Sequence, residues 1–398
     1  MKLITTKQRL RDVQRQRKET YKQRLAASKA KNRHYSTRKA PRQRPKRKKI
    51  DYSPLNDYIQ DQVKRGLRHQ LLKNRKKGIV IHLPEVMDFE ENKKETLQHL
   101  NAISVLVSYI HKNHGQPLPK KTYNLVSVNF DNLRKLSAPA ALALTAELSN
   151  WEDTIRNKLN PKIKQWNDEI YSQLHDLGFF NLFENKFVKP PKCKDNCSDT
   201  RLVRYIKGKC GDDGKIKELK RGIHDLVGEK QIDKWTFLAS GLDEAITNVT
   251  HHAYPEGWDR RTKEKPWYMT GSYNETTREL KVIFYDQGVS IPKTLDNSKW
   301  KDGIFGLLTK IPAVDRRKDE NLLEAAVEYG KTRTNEPDRG KGLGDLLVFI
   351  QQRKSGMLSI LSGKGQYSFT LDNDKQKTTT SRSKYPVQGT LIIWRVTL

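Results

Sequence analysis

Asp286 follows a run of apolar residues in the stretch FYDQGVSIP, and Gly288 comes two residues later. A short apolar run predicts a buried strand, so the carboxylate would stand where the strand ends. A carboxylate accepts hydrogen bonds, and a glycine lets a ligand approach the backbone closely. The pair suits recognition of the amino group of a base, although an ordinary turn at the end of a strand has the same pattern.

A glycine-rich stretch, DRGKGLGDLLVFI, runs directly into a predicted helix and contains Gly340, Gly342 and Gly344. Backbone amides without a neighbouring Cβ can approach phosphate oxygens, and a helix N-terminus adds positive potential. Four cationic residues lie close enough in sequence to reach the same oxygens: Lys331, Arg333, Arg339 and Lys341. A predicted helix precedes this loop where the dinucleotide-binding fingerprint has a strand, so that fingerprint is not matched.

Glu244 and Asn248 stand four residues apart in LDEAITNVTHHAY and therefore share one face of a predicted helix. Ile246, Val249 and Ala253 provide its buried side. Taken alone, the two polar residues fit a solvated stripe. The adjacent histidines that follow point about 100° apart on a helix, so they are poorly placed to chelate one ion and are expected to be packing and lid residues.

The predicted helices and strands that contain and flank these three stretches must hold their side chains in position. One helix of about six turns covers QIDKWTFLASGLDEAITNVTHHAY, and a hairpin follows in PWYMTGSYN and ELKVIFYDQG. NLLEAAVEYG and LGDLLVFIQQRK predict helices on either side of the glycine loop. GMLSILSG, QYSFTL and GTLIIWRVTL predict the closing strands.

In this order and spacing, the three stretches resemble the N, G1 and G2 boxes of the GHKL superfamily of ATP-binding domains. The compact form, from DEAITNVTHHAY to GTLIIW, is most similar to the anti-sigma-factor serine kinase branch, and the resemblance covers roughly residues 230–398. It implies a two-layer α/β sandwich over residues 215–398 that binds ATP and Mg²⁺.

The resemblance also implies a role for individual residues. Glu244 matches the general base and Asn248 the magnesium ligand, while Asp286 matches the partner of the adenine amino group. The remaining cofactor-binding residues implied are Gly288, Lys331, Gly340, Lys341, Gly342, Leu343, Gly344 and Thr390. Two departures are visible: a long segment with an additional helix separates Asp286 from Gly340, and Ser290 replaces a small residue of the usual G1 pattern.

Residues 79–188 predict a smaller α/β domain, with strands in GIVIHL and TYNLVSVNF and helices in ETLQHLNAISVLVSYIHKN, SAPAALALTAELSNWE and PKIKQWNDEIYSQLHDLGFFNLF. The stretch YNLVSVNFDNLRKLSAPAALALTAEL resembles a STAS-type domain, in which Ser137 would hold roughly the phosphoacceptor position. The Asp-Ser/Thr-x-Gly pattern of that family is absent. Ser137 as an N-cap, with Pro139 in the first turn, is the favoured interpretation.

Residues 189–214 predict a Cys/Lys/Pro-rich linker. Its three cysteines, Cys193, Cys197 and Cys210, could bind zinc with His224 as a fourth ligand, although their spacing is looser than in a zinc ribbon or finger. Three free thiols are the favoured alternative. Three cysteines in 398 residues do not make a disulfide framework, so a reducing cytoplasm is expected.

Residues 1–78 predict a basic and mostly disordered arm. The first 50 residues hold 20 Lys and Arg against Asp12 and Glu19, and so carry +18 of the net charge of +31. Such a segment would neutralise phosphates of DNA or RNA, with few aromatic residues to read bases. No apolar run is long enough to span a membrane, and no secretory signal is recognisable.

Three functional hypotheses follow. The first is a regulatory ATPase or Ser/Thr protein kinase that acts on a protein partner, with nucleic acid bound by the arm. The second is a non-catalytic ATP-dependent sensor in which Glu244 does no chemistry. In the third, residues 79–188 mask the nucleotide site of residues 215–398. The sequence leaves the oligomeric state open, a homodimer being one option.

Overall fold

A computed structural model describes the chain at residues 19–20, 22–23, 26, 50–72, 77–113, 118–158, 166–183, 199–209, 212, 214–228, 232–256, 265–295, 301–313, 315–333 and 343–398. The chain divides into two units, residues 1–50 and residues 51–398. Helices and strands are numbered here within the second unit. Its mixture of helices and sheets confirms the predicted α/β class.

The first part of this unit is built around a small sheet of three strands, in the order β1–β2–β4. β2 and β4 run parallel, whereas β1 is antiparallel to β2. The elements are α1 (Ser53–Lys64), β1 (His69–Leu71), β2 (Gly78–His82), β3 (Val86–Met87), α2 (Lys93–Lys112), β4 (Asn124–Asn129), β5 (Lys135–Leu136), α3 (Ala138–Ser149), α4 (Asp153–Lys158) and α5 (Asp168–Asp176). The strands and helices predicted in residues 79–188 are therefore present.

The structure differs from the expected arm between residues 51 and 72. Leu55 and Ile59 of α1 are fully buried, and β1 adds a strand to the small sheet. Apolar residues four apart lie on one face of a helix, so a single pair anchors α1 despite the charged residues around it. These residues belong to the folded unit and not to an unstructured arm.

The second part contains a larger antiparallel sheet in the order β10–β11–β9–β8–β6, with β7 also paired to β8. The elements are β6 (Thr200–Leu202), β7 (Ile206–Gly208), α6 (Lys215–Val227), α7 (Trp235–Asn248), which continues as a π-helical turn (Val249–Ala253), β8 (Trp267–Asn274), β9 (Glu279–Asp286), α8 (Ile291–Leu295), α9 (Lys301–Leu307), α10 (Asp319–Arg333), α11 (Asp345–Arg353), β10 (Ser355–Asp372) and β11 (Lys375–Thr397).

Two differences from the predicted elements concern this sheet. β6 and β7 lie in the segment expected to be a linker, and both pair with β8, with Ile206 buried. The stretches GMLSILSG and QYSFTL form one strand, β10, because its pairing with β11 continues across register shifts next to Gly363. A bulge of this kind inserts residues without ending the strand.

The central part of the larger sheet is buried on both faces. Phe284 and Trp394 point to a core shared with α6, α7 and α11, whereas Tyr285 and Ile393 belong to the core that contains α2 and α3. Successive residues of a strand face opposite sides, which explains why residues 282–285 of β9 and 391–394 of β11 are apolar without alternation. Residues 79–188 and 215–398 thus meet across a common core inside one compact unit.

None of the helices in the described part of the chain has both the length and the apolar character needed to cross a membrane.

Candidate functional site

Helix α7 carries Glu244 and Asn248 on its polar face, next to the buried residues Ile246, Val249 and Ala253, as the sequence predicts. Nδ2 of Asn248 donates a hydrogen bond to Oε1 of Glu244 over 2.9 Å. This bond orients the amide so that its Oδ1 remains an acceptor. The described residues offer that oxygen no donor, so it can serve a cation or a ligand.

The carboxyl group of Glu244 is partly buried. Burial raises its pKa, the hydrogen bond from Asn248 opposes that shift, and Asp345 raises the pKa further. The electrostatic interaction with His251 lowers the pKa of Glu244. A carboxylate whose pKa is raised holds a proton more readily, which is a property of general bases in active sites.

The two histidines that follow do not pack as expected. His251 and His252 are both exposed, on the π-helical turn that ends α7, with ring centroids 6.0 Å apart. The wider turn rotates both rings outward, while Ala253 and Tyr254 take the buried positions. The exposed rings do not fit the packing part of the prediction, although partial burial lowers the pKa of His252, and the lid part stays a prediction.

Asp286 and Thr390 lie side by side on neighbouring strands, because β9 and β11 pair Asp286 with Thr390 in register. Both are buried, and both point to the face that carries α7. Ser362 of β10, which sequence analysis missed, pairs with Thr390, and the two hydroxyl oxygens are 2.9 Å apart. The alternation LSILS could have identified it, since Ser362 shares a face with Ile360.

The loop after β9 is docked against the end of α7. The backbone N–H of Val289 donates to the carbonyl oxygen of Ala253 over 2.7 Å. A Cβ at position 288 would lie 2.2 Å from the same oxygen, so only glycine permits this contact. Gly288 N–H also donates to Oδ1 of Asp286 over 2.8 Å. Gly288, which was predicted to make room for an adenine ring, is thus also needed for the contact between this loop and the end of α7.

The glycine-rich stretch before α11 is described only at its end, from Leu343 onward. Gly344 precedes α11, and Leu343 packs partly buried against two hydrophobic clusters. A Cβ at Gly330 of α10 would lie 2.7 Å from the amide nitrogen of Gly344. The last turns of α10 and the residue before α11 are therefore in direct contact. Lys331 lies in α10, but its side chain is outside the described part, as are Gly340, Lys341 and Gly342.

Helices α7 and α11 are in close contact where Gly241 faces the backbone of Asp345 and Leu346, at 3.7 Å from the position of a Cβ. The contact brings Asp345 near Glu244, as the effect on the pKa of Glu244 also indicates. Glu244 and Asn248 therefore stand between the loop after β9, at one end of α7, and the start of α11 along its side.

Gln287, also missed, connects this loop to the other half of the unit. Its Nε2 donates to Oε2 of Glu147 on α3 over 3.2 Å, and its Oε1 accepts from Asn150. Tyr268 donates to Oδ1 of Asn150 over 2.9 Å, and Trp151 donates to Oε1 of Glu147 over 3.2 Å. The residue next to Asp286 is thus held by a buried polar network.

Two alternatives from the sequence have different outcomes. Ser137 occupies the N-cap position of α3, but its buried hydroxyl makes no hydrogen bond to the first helical amides or to any other described group. The cysteine hypothesis falls on Cys193, Cys197 and Cys210, which lie outside the described residues. Among the residues that are described, no group of three or more His, Cys, Asp or Glu could hold a metal ion.

No family model, curated protein or solved structure matches this chain.

Proposed function

We propose that residues 215–398 form a GHKL-type domain that binds ATP with Mg²⁺. The observation that carries the proposal is the docking of the end of α7 on the loop that follows Asp286. It gathers the N-box pair, the G1 acid and Thr390 around one helix, although they are separated by up to about 150 residues in the sequence.

Asp286 and Thr390 would form the base-binding end of the site. The carboxylate accepts from an exocyclic amino group, and the neighbouring hydroxyl can donate to or accept from a ring nitrogen or an ordered water. Ser362 and the amide of Gly288 hold these two side chains in place through the bonds at 2.9 and 2.8 Å. The donors and acceptors present therefore fit an adenine.

Asn248 and Glu244 would form the reactive end. Oδ1 of Asn248 is an oxygen ligand of the kind that Mg²⁺ prefers, and a bound Mg²⁺ would neutralise phosphate charge. Glu244, held by Asn248, would take the proton of a water in ATP hydrolysis or of a protein Ser/Thr hydroxyl in phosphoryl transfer. Its raised pKa supports the role of base.

The test is calorimetric titration of the full chain with ATP and Mg²⁺. We expect Asp286→Asn and Asn248→Ala each to weaken ATP binding by about tenfold or more, the second only when Mg²⁺ is present. Asp372→Asn, at the exposed tip of the β10–β11 hairpin, is the matched control and should bind as wild type. Equal affinity in all four proteins, or no binding by wild type, would remove the proposal.

The proposal also includes the expectations from the sequence about the rest of the chain, its partners and its location. Residues 79–188 would be the STAS-like half, supported by the parallel pair β2 and β4 joined through α2. The basic segment would contact nucleic acid, now with residues 51–72 assigned to the folded unit. A protein partner, a homodimer and a cytoplasmic location are further parts. The non-catalytic sensor is the alternative if ATP binds but is not turned over.

A further inference from the structure

A cavity of about 840 Å³ lies between α2, the loop after β9 and the β10–β11 hairpin. None of Glu244, Asn248, Asp286 and Thr390 lines it. The loop at Gly288–Ser290 lines the cavity, as does Gly389 beside Thr390. The cavity therefore adjoins the candidate nucleotide site and shares Gly288 with it, and its volume falls in the range of small-molecule pockets.

Irregular backbone shapes one wall of the cavity. The pairing of β10 with β11 shifts register on both sides of Gly363. Gly363 and Gly389 have positive φ values of 59° and 79°. A Cβ on Gly363 would lie 2.7 Å from Oδ2 of Asp319 and 3.1 Å from Oγ of Ser290. Bulges and left-handed glycines of this kind are frequent at the borders of binding sites.

The charge around the cavity is positive. Lys112, Lys293, Lys364 and Arg382 line it, against the acids Glu152 and Asp319. Both acids are already engaged: Glu152 lies 3.1 Å from Nδ1 of His111, and Asp319 accepts from the backbone N–H of Lys364 over 2.7 Å.

The cations of the cavity are not equally engaged. Arg382 pairs with Glu320 at 2.9 Å, outside the lining. No acid within the described part of the chain pairs with any of the three lysines. Among the described residues, Lys293 and Lys364 thus line the cavity without an acidic partner, whereas Nζ of Lys112 lies over the ring of Tyr109, 4.8 Å from its centroid.

The inner surface is polar. Ser290 is 4% exposed, and its hydroxyl has no hydrogen-bond partner among the described residues. A buried hydroxyl without a partner is uncommon, because burial removes its bonds to water. Asn101 and Ser104 of α2 are buried at the same cavity. The amide of Asn101 already donates to the carbonyl oxygens of Leu97 and Pro386, and the hydroxyl of Ser104 donates to Gln388. Of these three side chains, Ser290 is therefore the one whose hydroxyl can donate to an oxygen atom of a ligand.

We propose that this cavity binds a small molecule that carries a phosphate group. Phosphate oxygens would accept from the ammonium of Lys364 and from the hydroxyl of Ser290, and Lys112 and Lys293 would add positive potential at the mouth. A carboxylate ligand offers fewer acceptor oxygens for the same set of donors. The proposal does not depend on ATP binding at the neighbouring site.

The test is titration of the full chain with inorganic pyrophosphate, without Mg²⁺, followed by calorimetry. We expect Ser290→Ala and Lys364→Gln each to weaken the binding by about threefold to tenfold. Lys377→Gln, an exposed lysine of the same hairpin, is the matched control and should leave it unchanged. Because the basic residues 1–50 are the same in every protein, their own affinity for pyrophosphate cancels in the comparison.

Two further results keep this test separate from that of ATP binding. Asn248→Ala should leave pyrophosphate binding intact, since Asn248 does not line the cavity. If both cavity variants bound pyrophosphate as wild type, the cavity proposal would be overturned, while a Mg²⁺-dependent loss of ATP binding in Asn248→Ala would leave the nucleotide site standing. Circular dichroism of each variant verifies folding, and retention of binding by both folded cavity variants is the contradicting result.

Discussion

Nε2 of Gln287 donates to Oε2 of Glu147 over 3.2 Å, and both side chains are buried, although 140 residues separate them. The bond ties the loop next to Asp286 to helix α3. Removing the amide leaves a buried carboxylate with fewer donors, which costs about 1–3 kcal/mol. Gln287→Met should therefore lower the free energy of unfolding by that amount, measured by urea denaturation.

A double-mutant cycle separates this bond from the packing of the loop. Gln287→Met combined with Glu147→Leu should destabilise the protein by less than the sum of the two single changes, because the bond between the two side chains is lost in each single variant and can be lost only once in the double variant. Strict additivity of the two single changes would show that the bond has no energetic role. ATP affinity, followed in the same proteins, reports whether the loop stays in place.

Glu244→Gln should reduce ATP hydrolysis or phosphoryl transfer by about 100-fold or more while ATP affinity changes little, because an amide cannot take a proton. In wild type the rate should rise with pH through a pKa above that of an ordinary glutamate, since burial favours the protonated form. Glu85→Gln, an exposed glutamate, is the control. ATP binding without any turnover in wild type would favour the sensor hypothesis instead.

The stability of the fold should depend on His99 in mildly acidic solution. Nδ1 of this buried ring lies 2.7 Å from the carbonyl oxygen of Glu95, and Nε2 accepts from the N–H of Arg68, so the ring is neutral. Burial lowers its pKa to about 4, although the contact with Glu95 opposes the shift and the charge of Arg68 adds to it.

The direction of this pH dependence follows from the difference in proton binding between folded and unfolded His99. An unfolded histidine binds a proton below a pH of about 6.5, whereas folded His99 stays neutral down to about 4, so stability is lost as the pH falls through that interval. The loss amounts to about 3 kcal/mol. Unfolding measured at several pH values should show a shallower decline in His99→Gln, and identical slopes in both proteins would disprove the effect.

Removal of residues 1–50 tests the nucleic-acid part of the proposal. That segment carries +18, so wild type should bind a short DNA duplex with an affinity that falls steeply between about 50 and 200 mM salt. A chain of residues 51–398, which is a compact unit, should lose most of this binding and keep its ATP affinity. Undiminished, salt-dependent binding by the shortened chain would place the DNA contact elsewhere.

A fragment of residues 215–398 should not behave as an isolated domain. It would expose Ile283, Tyr285 and Ile393, which the structure buries against the other half. Exposed apolar surface of this extent promotes aggregation. Size-exclusion chromatography should show aggregates, whereas residues 51–398 should elute as a single species. A monodisperse fragment with the ATP affinity and faster turnover of an unmasked site would support the intramolecular switch.

Much of the fold could be predicted from local patterns, because strands such as GIVIH and helices such as α2 carry clear apolar periodicity. The sequence ELKVIFYD also held a sign of burial on both faces, since its apolar run does not alternate. Helix α1 was missed because few of its residues are apolar, and strands β6 and β7 were missed because each has only three residues. Their stability comes from long-range pairing that no local pattern contains.

The residues of the candidate site likewise divide into those that local patterns predict and those that depend on long-range contacts. Glu244 and Asn248 could be placed together because helical spacing alone fixes their distance, and the hydrogen bond at 2.9 Å agrees with it. Gln287 could not be assigned, because its partner Glu147 lies 140 residues away, whereas the alternation around Ser362 predicts its face of the strand but not its bond to Thr390. The outward turn of the histidines depended on a π-helical turn that residue preferences do not encode.

The larger sheet, covered by helices from both halves of the chain, has a consequence for how such a protein can change in evolution. A domain with its own closed core can be copied, exchanged or fused to another gene as a module. Here each half supplies the cover for the other, so a recombination event between them would leave two incomplete cores. We therefore expect the two halves to be inherited together, and changes on one side of the sheet to be matched by changes across it.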